Sequence, residues 1–426
     1  MGSIANPDTP HSSLLVERPR LNAAVGLYFH RYLPVAACYF FFNAAGLPIG
    51  LFYTSIFSPL LYLWLYLEGR RWLTTKFLLL LSPFILVHMV IGIAFPLYYL
   101  RSVLLFWTAY VAVYAFCWGL WKSGNVERLF DQLILLNFCA TILALALRPT
   151  PLRSLLWNDY PYILLETSHV IRLNLLNTEP SAYAELMLPL LIFAAIRLLQ
   201  DNRMRNIVYF VMIGFPLLLS QSFGGFSMSC AGIGIALIIS YRRFLMRPRS
   251  LIIFACLAIA VGIFLLIPNP ISERVMQVAT GGDTSTKSRT IFSFIIAYAV
   301  ASPKSLWWGA GLGQAKFVDV SGLGIGFDVA VIPNAVAGTL AEFGIIGVVF
   351  RLAVEFYLFF KTRVYLNSFR LAMFVVAFIT QLTGSYVPDV QQYLLWFLAY
   401  APIFPNLNLR PSGKPDGSRL LIKKEM

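Results

Sequence analysis

The stretch FLLLLSPFILVHMVIGIAFPL, residues 77–97, decides the fold. Its 21 positions hold no Asp, Glu, Lys or Arg. A helix rising 1.5 Å per residue needs about 20 such residues to cross a hydrocarbon core about 30 Å thick. One run of this kind could be a buried helix, but the chain repeats it. Similar apolar runs lie at 32–48, 50–67, 103–121, 129–147, 182–199, 206–222, 225–241, 250–268, 336–359, 369–386 and 390–406. The expectation is an all-α fold: a polytopic transmembrane helical bundle of about 12 spans.

Composition points the same way. Of 426 residues, 59% are hydrophobic and 12% charged, with a mean hydropathy of +0.73. A globular domain carries roughly 25% charged residues, and a soluble fold of this size could not hide so much apolar surface. A soluble enzyme, a disordered chain and a nucleic-acid binder are thereby excluded. The net charge of +14 is not a nucleic-acid footprint, because the cations sit in short clusters between apolar runs. These are Arg70-Arg71, Arg203 with Arg205, Arg242 to Arg249, Lys361 with Arg363, and Lys423-Lys424. With both termini cytoplasmic, 23 of the 33 Lys and Arg fall on the inner side and nine on the outer, with Arg351 inside a span. That asymmetry orients the spans and suits an anionic inner leaflet, so membrane lipids are expected partners. Cys38, Cys117, Cys139, Cys230 and Cys256 all lie in apolar runs and imply neither a disulfide framework nor a zinc site.

The organisation follows from this layout. Residues 1–31, with Pro7, Pro10 and Pro19, read as a cytoplasmic tail without a removable signal peptide. Spans 1–5 occupy 32–147, a first long outer loop 148–181, spans 6–9 182–268, a second long outer loop 269–335, spans 10–12 336–406, and a basic cytoplasmic tail 407–426. Loops this long in a compact membrane protein are usually functional. The run 291–300 inside the second loop is too short to cross, and reads as a re-entrant or interfacial helix. No internal repeat is visible, which weighs against an inverted-repeat transporter.

The chemistry-bearing residues gather in the two outer loops. The first ends Arg172-Leu173-Asn174-Leu175-Leu176-Asn177-Thr178-Glu179-Pro180-Ser181. The second carries Ser288-Arg289, then Trp307-Trp308-Gly309-Ala310-Gly311-Leu312-Gly313, then Pro333-Asn334, followed by Glu342-Phe343-Gly344-Ile345-Ile346-Gly347. This order resembles the bacterial O-antigen polymerase and ligase superfamily, over roughly residues 170–350 by motif and the whole chain by span layout. The shared steps are an Arg before Glu-Pro-Ser, a Ser-Arg opening a loop helix, a Gly-x-Gly turn, and an Asn-led span with Glu-x-Gly-Ile-x-Gly.

The resemblance implies a glycosyltransferase of the bacterial cytoplasmic (inner) membrane that needs no cofactor. Its donor is a polyprenyl-diphosphate-linked oligosaccharide. Its product is O-antigen or exopolysaccharide, made on the periplasmic face, and a chain-length regulator is among the partners it allows. Relatives that act as ligases carry a His before the late Asn. Here Pro333 stands in that place, which favours a polymerase over a ligase. A transporter or flippase of the same lipid-linked sugar is the rival from another class.

The leaving group in such a transfer is a lipid diphosphate, which gathers negative charge as the glycosidic bond breaks. Guanidinium is always charged and binds phosphate oxygens bidentately. Arg172 and Arg289 are therefore the leading catalytic candidates, although each could be an interfacial snorkelling arginine. Glu179 could orient Arg172 or take a proton, and the residue also suits a helix start with Pro180 at the first position. His169, three residues before Arg172, is a candidate base or a solvated loop histidine. Ser288, Lys316, Asn334 and Trp307 are candidate substrate-binding residues, and the glycine run before Lys316 reads as a turn rather than a nucleotide loop.

Other charges read as structural. Arg351 and Glu355 form an expected ion pair toward the cytoplasmic end, far from the loops, and Asp131 opens the fifth span in the same manner. His88 is expected to bond a neighbouring helix. Trp157, Tyr160, Tyr162, Trp307 and Trp308 belong to the outer interface. The outer acids Asp159, Glu166, Glu273, Asp283, Asp319, Asp328 and Asp389 are scattered in sequence, without the pairing a metal site would need, so no metal is expected.

Overall fold

The computed structural model describes residues 32–42, 53–122, 125–161, 169–201, 203–240, 276, 280, 287–318, 332–384, 387 and 389–409. The tail 1–31, the expected span at 250–268, the cluster from Arg242 to Arg249, Cys256 and the tail beyond 409 lie outside the described residues. So do Tyr162, Glu166, Glu273, Asp283, Asp319 and Asp328.

The described chain is helical almost throughout. In order come α1 (Leu33–Phe42), α2 (Tyr53–Leu67), α3 (Leu73–Ile91), α4 (Pro96–Lys122), α5 (Val126–Ala146) and the single turn α6 (Arg153–Leu156). After a strand pair follow α7 (Pro180–Gln200), α8 (Met204–Ser220) and α9 (Phe223–Ser240). Then come a π-helical turn at Ser288–Phe292 running into α10 (Ser293–Ala301), α11 (Ala335–Lys361), α12 (Ser368–Thr383) and α13 (Val390–Tyr400). Among the described residues, α3, α4, α5 and α7 are long and apolar enough to cross a membrane, and α11 is so only when counted across a break at Gly344. α13 is shorter than its apolar run. It stops at Tyr400, before Pro402 and Pro405, and the chain continues as irregular backbone that buries the side chains of Phe404, Leu407 and Leu409. The described part of the helix at Ser288–Ala301 is shorter than a span, in keeping with the reading of its apolar run.

Side-chain caps set several starts. Asn125, Asn334 and Asn367 accept from backbone N–H groups three residues on, at 3.1, 2.9 and 3.0 Å. α7 begins with Pro180 just after Glu179, where a missing N–H costs nothing.

α7 is the axis of the bundle: every residue from Tyr183 to Ile196 is buried. Its Phe193 packs in a cluster with Phe130, Phe369 and Phe404, with ring centroids of contacting pairs 4.7 to 5.4 Å apart. α3, by contrast, exposes Leu78, Leu79, Leu80, Leu86, Met89 and Val90, as expected for a face turned to lipid.

Polar contacts gather at the two ends of the bundle. At one end Lys122 pairs with Glu68, Arg197 meets Asp131 at 2.6 Å, and Arg70 stacks 3.7 Å from the Trp118 ring. There the buried Arg370 donates to the carbonyls of Thr362, Ala399 and Tyr400 at 2.8 to 2.9 Å. Asp131 thus sits in the structural pair its sequence position implied.

The opposite end holds the loop expected to be the first outer one. It forms an antiparallel hairpin of β1 (Trp157–Pro161) and β2 (His169–Leu173), pairing Trp157 with Leu173 and Asn158 with Arg172. This sheet is a small exception to the all-α expectation. It also buries Trp157, whose indole N–H donates to the Ala144 carbonyl at 2.9 Å, so this residue is part of the core and not of an interfacial belt.

Candidate functional site

The site end is organised by a break in α11. Gly344 has φ +68° and ψ −168°, a conformation open in practice only to glycine. Past it the chain folds back. Arg351 Nη1 donates to the Ala335 carbonyl at 3.5 Å and to Thr339 Oγ1 at 3.3 Å. In an unbroken helix, sixteen residues would separate Arg351 and Ala335 by about 24 Å. The segment read as one straight span, 336–359, is therefore a helical hairpin, and its fold-back overturns one sequence expectation. Arg351 is not remote from the loops. It lies level with Ala335 and Asn334, still paired with Glu355 at 3.0 Å and bonded to Gln381 Oε1 at 3.1 Å.

A broken helix leaves backbone groups without partners on both sides of the break. The turn from Leu306 to Gly313 supplies them. The N–H groups of Ala310 and Gly311 donate to the carbonyls of Ala341 and Glu342, and those of Ile345 and Ile346 donate to the carbonyls of Leu306 and Trp307, at 2.8 to 3.1 Å. Gly309 must lack a side chain, because a Cβ would stand 2.6 Å from the Glu342 carbonyl oxygen. Glu342 Oε1 accepts from the Gly313 N–H at 3.0 Å.

This turn also docks on α3 and α4. His88 Nε2 lies 2.8 Å from the Trp308 carbonyl, which can only accept, so Nε2 carries the proton and Nδ1 faces the Tyr99 hydroxyl at 3.0 Å. His88 thus bonds a neighbouring helix, as expected. Gln314 clamps both backbone groups of Phe95. The glycine run is the plug of a helix break, in line with its reading as a turn.

The sequence-derived site residues divide around this frame. Arg172 on β2 donates from Nε to the Ser220 carbonyl at 3.0 Å and from Nη2 to the Gln221 carbonyl at 3.1 Å. It caps the C-terminus of α8, where a cation meets the negative end of the helix dipole. Arg289 sits in the π-helical turn, partly buried, and donates from Nη1 to the Thr383 carbonyl at a long 3.4 Å. Its other guanidinium N–H groups have no acceptor among the described residues. The two arginines therefore have different anchors, one on α8 and the other on α12.

Asn334 is fully engaged. Its Nδ2 donates to the carbonyls of Arg289 and Leu382, at 3.0 and 2.8 Å, while its Oδ1 caps α11. It fixes the backbone that carries Arg289. The Ser288 carbonyl accepts from Ser293 Oγ at 2.7 Å. Glu179 is exposed at the start of α7, where its Oε2 accepts from Ser181 Oγ at 2.9 Å. Lys316 is exposed and lies 3.9 Å from the centre of the Tyr98 ring, and some desolvation together with nearby Arg101 lowers its pKa. The Trp307 side chain is exposed and its carbonyl belongs to the plug. His169 opens β2, and its side chain lies outside what is described.

Sequence reasoning missed Glu185. This buried acid of α7 accepts from Gln391 Nε2 at 3.1 Å. It faces Arg289 across Gly384: the point a Gly384 Cβ would occupy is 3.1 Å from Glu185 Oε1 and 3.4 Å from Arg289 Nη1. A lone acid inside an apolar span was the available signal, since intramembrane charges mark function by default. Asp389, read as one of the scattered acids, has company in space. Its Oδ1 accepts from the Gln391 N–H at 2.9 Å, so one glutamine links both carboxylates. Burial pushes the Asp389 carboxyl up to about 6, against the lowering effect of the Gln391 and Gln392 N–H groups and of Arg351. Among the described residues, no three His, Cys, Asp or Glu side chains converge as metal ligands would.

The site is thus a cationic fork with donors that have no acceptor among the described residues, opposed to a buried acid across a gap, at the helix ends of a bundle with helices long and apolar enough to span a membrane. It can hold an anion against Arg289 and exchange a proton with a group beside it. No protein-family model matches this chain, and no curated protein matches it at a significant level.

Proposed function

We propose that this protein is a multi-pass glycosyltransferase of the bacterial cytoplasmic membrane. It polymerises polyprenyl-diphosphate-linked oligosaccharide repeat units into O-antigen or exopolysaccharide. In this reading the chain crosses the membrane about 12 times with both termini cytoplasmic, and the Arg289 end faces outward.

The observation that carries the proposal is Arg289. Apart from its bond to the Thr383 carbonyl, the guanidinium has donors without an acceptor among the described residues, and a phosphate group with several acceptor oxygens suits them. The fork stands in the Ser-Arg step whose order along the chain resembles the polymerase and ligase superfamily. Charge-assisted contacts that strengthen as the diphosphate leaves are worth on the order of 10²–10³ in rate. In this arrangement Arg289 is the donor-diphosphate ligand, Asn334 positions it, and Arg172 supports the wall formed by α8.

The rival transporter reading is served less well. Broken helices in transporters leave free ends facing the ligand, whereas the ends at Gly344 are filled by the backbone of the Leu306–Gly313 turn.

The test is a deletion strain whose carrier lipids are extracted. The expected result is single repeat units on the outer leaflet, with no polymer. Repeat units trapped on the cytoplasmic leaflet would identify a flippase instead.

A further inference from the structure

Glu185 is built unlike a structural acid. It lies between one and two turns into α7, buried, with one oxygen held by Gln391. Its Oε1 accepts no hydrogen bond among the described residues, and it does not close on Arg289 as an ion pair. The gap between them is kept by Gly384. The φ of −172° there is open to any residue, so what the site uses is the missing side chain. The charged groups acting on Glu185 are Asp389 from the α12–α13 connection, Arg289 from the π-helical turn and Glu179 from the start of its own helix. Arg351 from α11 acts on Asp389 in turn.

The placement has a chemical meaning if a sugar diphosphate is bound at Arg289. The anomeric carbon is two bonds from the nearer phosphorus, so the reacting centre falls beside the gap that Oε1 borders. We infer that Glu185 takes the proton of the acceptor hydroxyl, and that Gln391 and Asp389 are positioning residues for it; this rests on the glycosyl-transfer reading above. The acceptor oxygen bonds to the anomeric carbon while the bond from that carbon to the diphosphate oxygen breaks. The bonding pair leaves with the diphosphate. The hydroxyl proton passes to Glu185 Oε1 and from there to solvent, so no oxidant or reductant is needed.

The experiment uses the full chain in lipid vesicles with a fluorescent polyprenyl-diphosphate-linked oligosaccharide. It follows glycosyl transfer against pH, and measures binding of polyprenyl diphosphate separately. General-base catalysis is worth about 10²–10⁴ in rate, so Glu185→Gln should slow transfer by about 100-fold or more while diphosphate binding persists. Transfer by the wild type should fall off in acid. Asp389→Asn should move that acid limb to lower pH, because the base then stands beside one negative charge fewer. The limb stays informative even if Glu185→Gln accumulates poorly.

Two results overturn the inference while leaving the glycosyl-transfer reading intact, provided that Arg289→Ala is inactive in the same assay. One is transfer by Glu185→Gln within about threefold of wild type. The other is an acid limb that Asp389→Asn leaves in place. If wild type transfers nothing and Arg289→Ala binds the diphosphate as well as wild type does, the glycosyl-transfer reading itself fails, and this inference with it.

Discussion

Replacing Gly344 by alanine attacks the break in α11 directly. The backbone there, at φ +68° and ψ −168°, costs a non-glycine residue about 1–3 kcal/mol. The added Cβ would overlap the Trp307 carbonyl and stand 2.5 Å from the Trp308 nitrogen. Neither contact is with a flexible side-chain tip, so relief means lifting the plug from the break. That loses the hydrogen bonds from Ile345 and Ile346 to Leu306 and Trp307, now 3.0 and 3.1 Å long. At about 1 kcal/mol each, they bring the total to about 3–5 kcal/mol, a large part of a typical folding free energy. Gly214 and Gly234 provide the controls. Both are helical, and a Cβ at either meets nothing within 4 Å. Alanine there should gain up to about 1 kcal/mol of helix propensity. Membrane abundance and the thermal midpoint in detergent should rank Gly214→Ala and Gly234→Ala at or above wild type, with Gly344→Ala far below. A Gly344→Ala protein with wild-type abundance and midpoint would refute the hairpin and its plug.

Other outcomes follow from the same geometry. Arg351→Ala leaves Glu355 buried with Gln381 as its remaining side-chain partner, and should cost about 3–5 kcal/mol, seen as lost abundance. Pairing Arg351→Met with Glu355→Gln should recover most of it, and failure to do so would argue against an ion-pair origin. Arg172→Ala removes two charge-assisted bonds to the end of α8, so the thermal midpoint should fall by an amount equivalent to about 2 kcal/mol or more, with Arg172→Lys recovering less than half. Unchanged stability with lost activity would instead place Arg172 on the substrate. Asp389 gives a pH signature. Its folded pKa of about 6 lies above the ordinary value, so its contribution is most favourable in acid and declines as pH rises through about 6. Asp389→Asn should therefore gain thermal stability relative to wild type between pH 5 and pH 7, and a pH-independent difference would contradict the assignment.

What was legible in the sequence was what apolar length and order encode. The run 77–97 and its counterparts at 103–121, 129–147 and 182–199 foretold helices long enough to span, and the short run 291–300 foretold a shorter helix among the described residues. The Asn before α11 and the Pro180 start of α7 were visible because caps are local. What stayed hidden was what depends on contact between distant segments. The Leu306–Gly313 turn and the Glu342-Phe343-Gly344 step were recognised as separate motifs. They are two halves of one device, and an apolar pattern cannot register a break that another loop repairs. Arg351 was assigned a depth by counting residues along an unbroken helix, so the fold-back misplaced it. Glu185 and Asp389 are 204 positions apart, and only the link through Gln391 makes them neighbours.

The central claim is that Arg289 serves glycosyl transfer from a lipid diphosphate. It is tested most directly by reconstituting the purified chain in vesicles with a tagged polyprenyl-diphosphate-linked oligosaccharide and resolving the products by size. A ladder of polymer from wild type, absent with Arg289→Ala and partly restored with Arg289→Lys at equal protein levels, is the predicted result. An undiminished ladder from Arg289→Ala, or substrate that crosses the bilayer without growing, would contradict it.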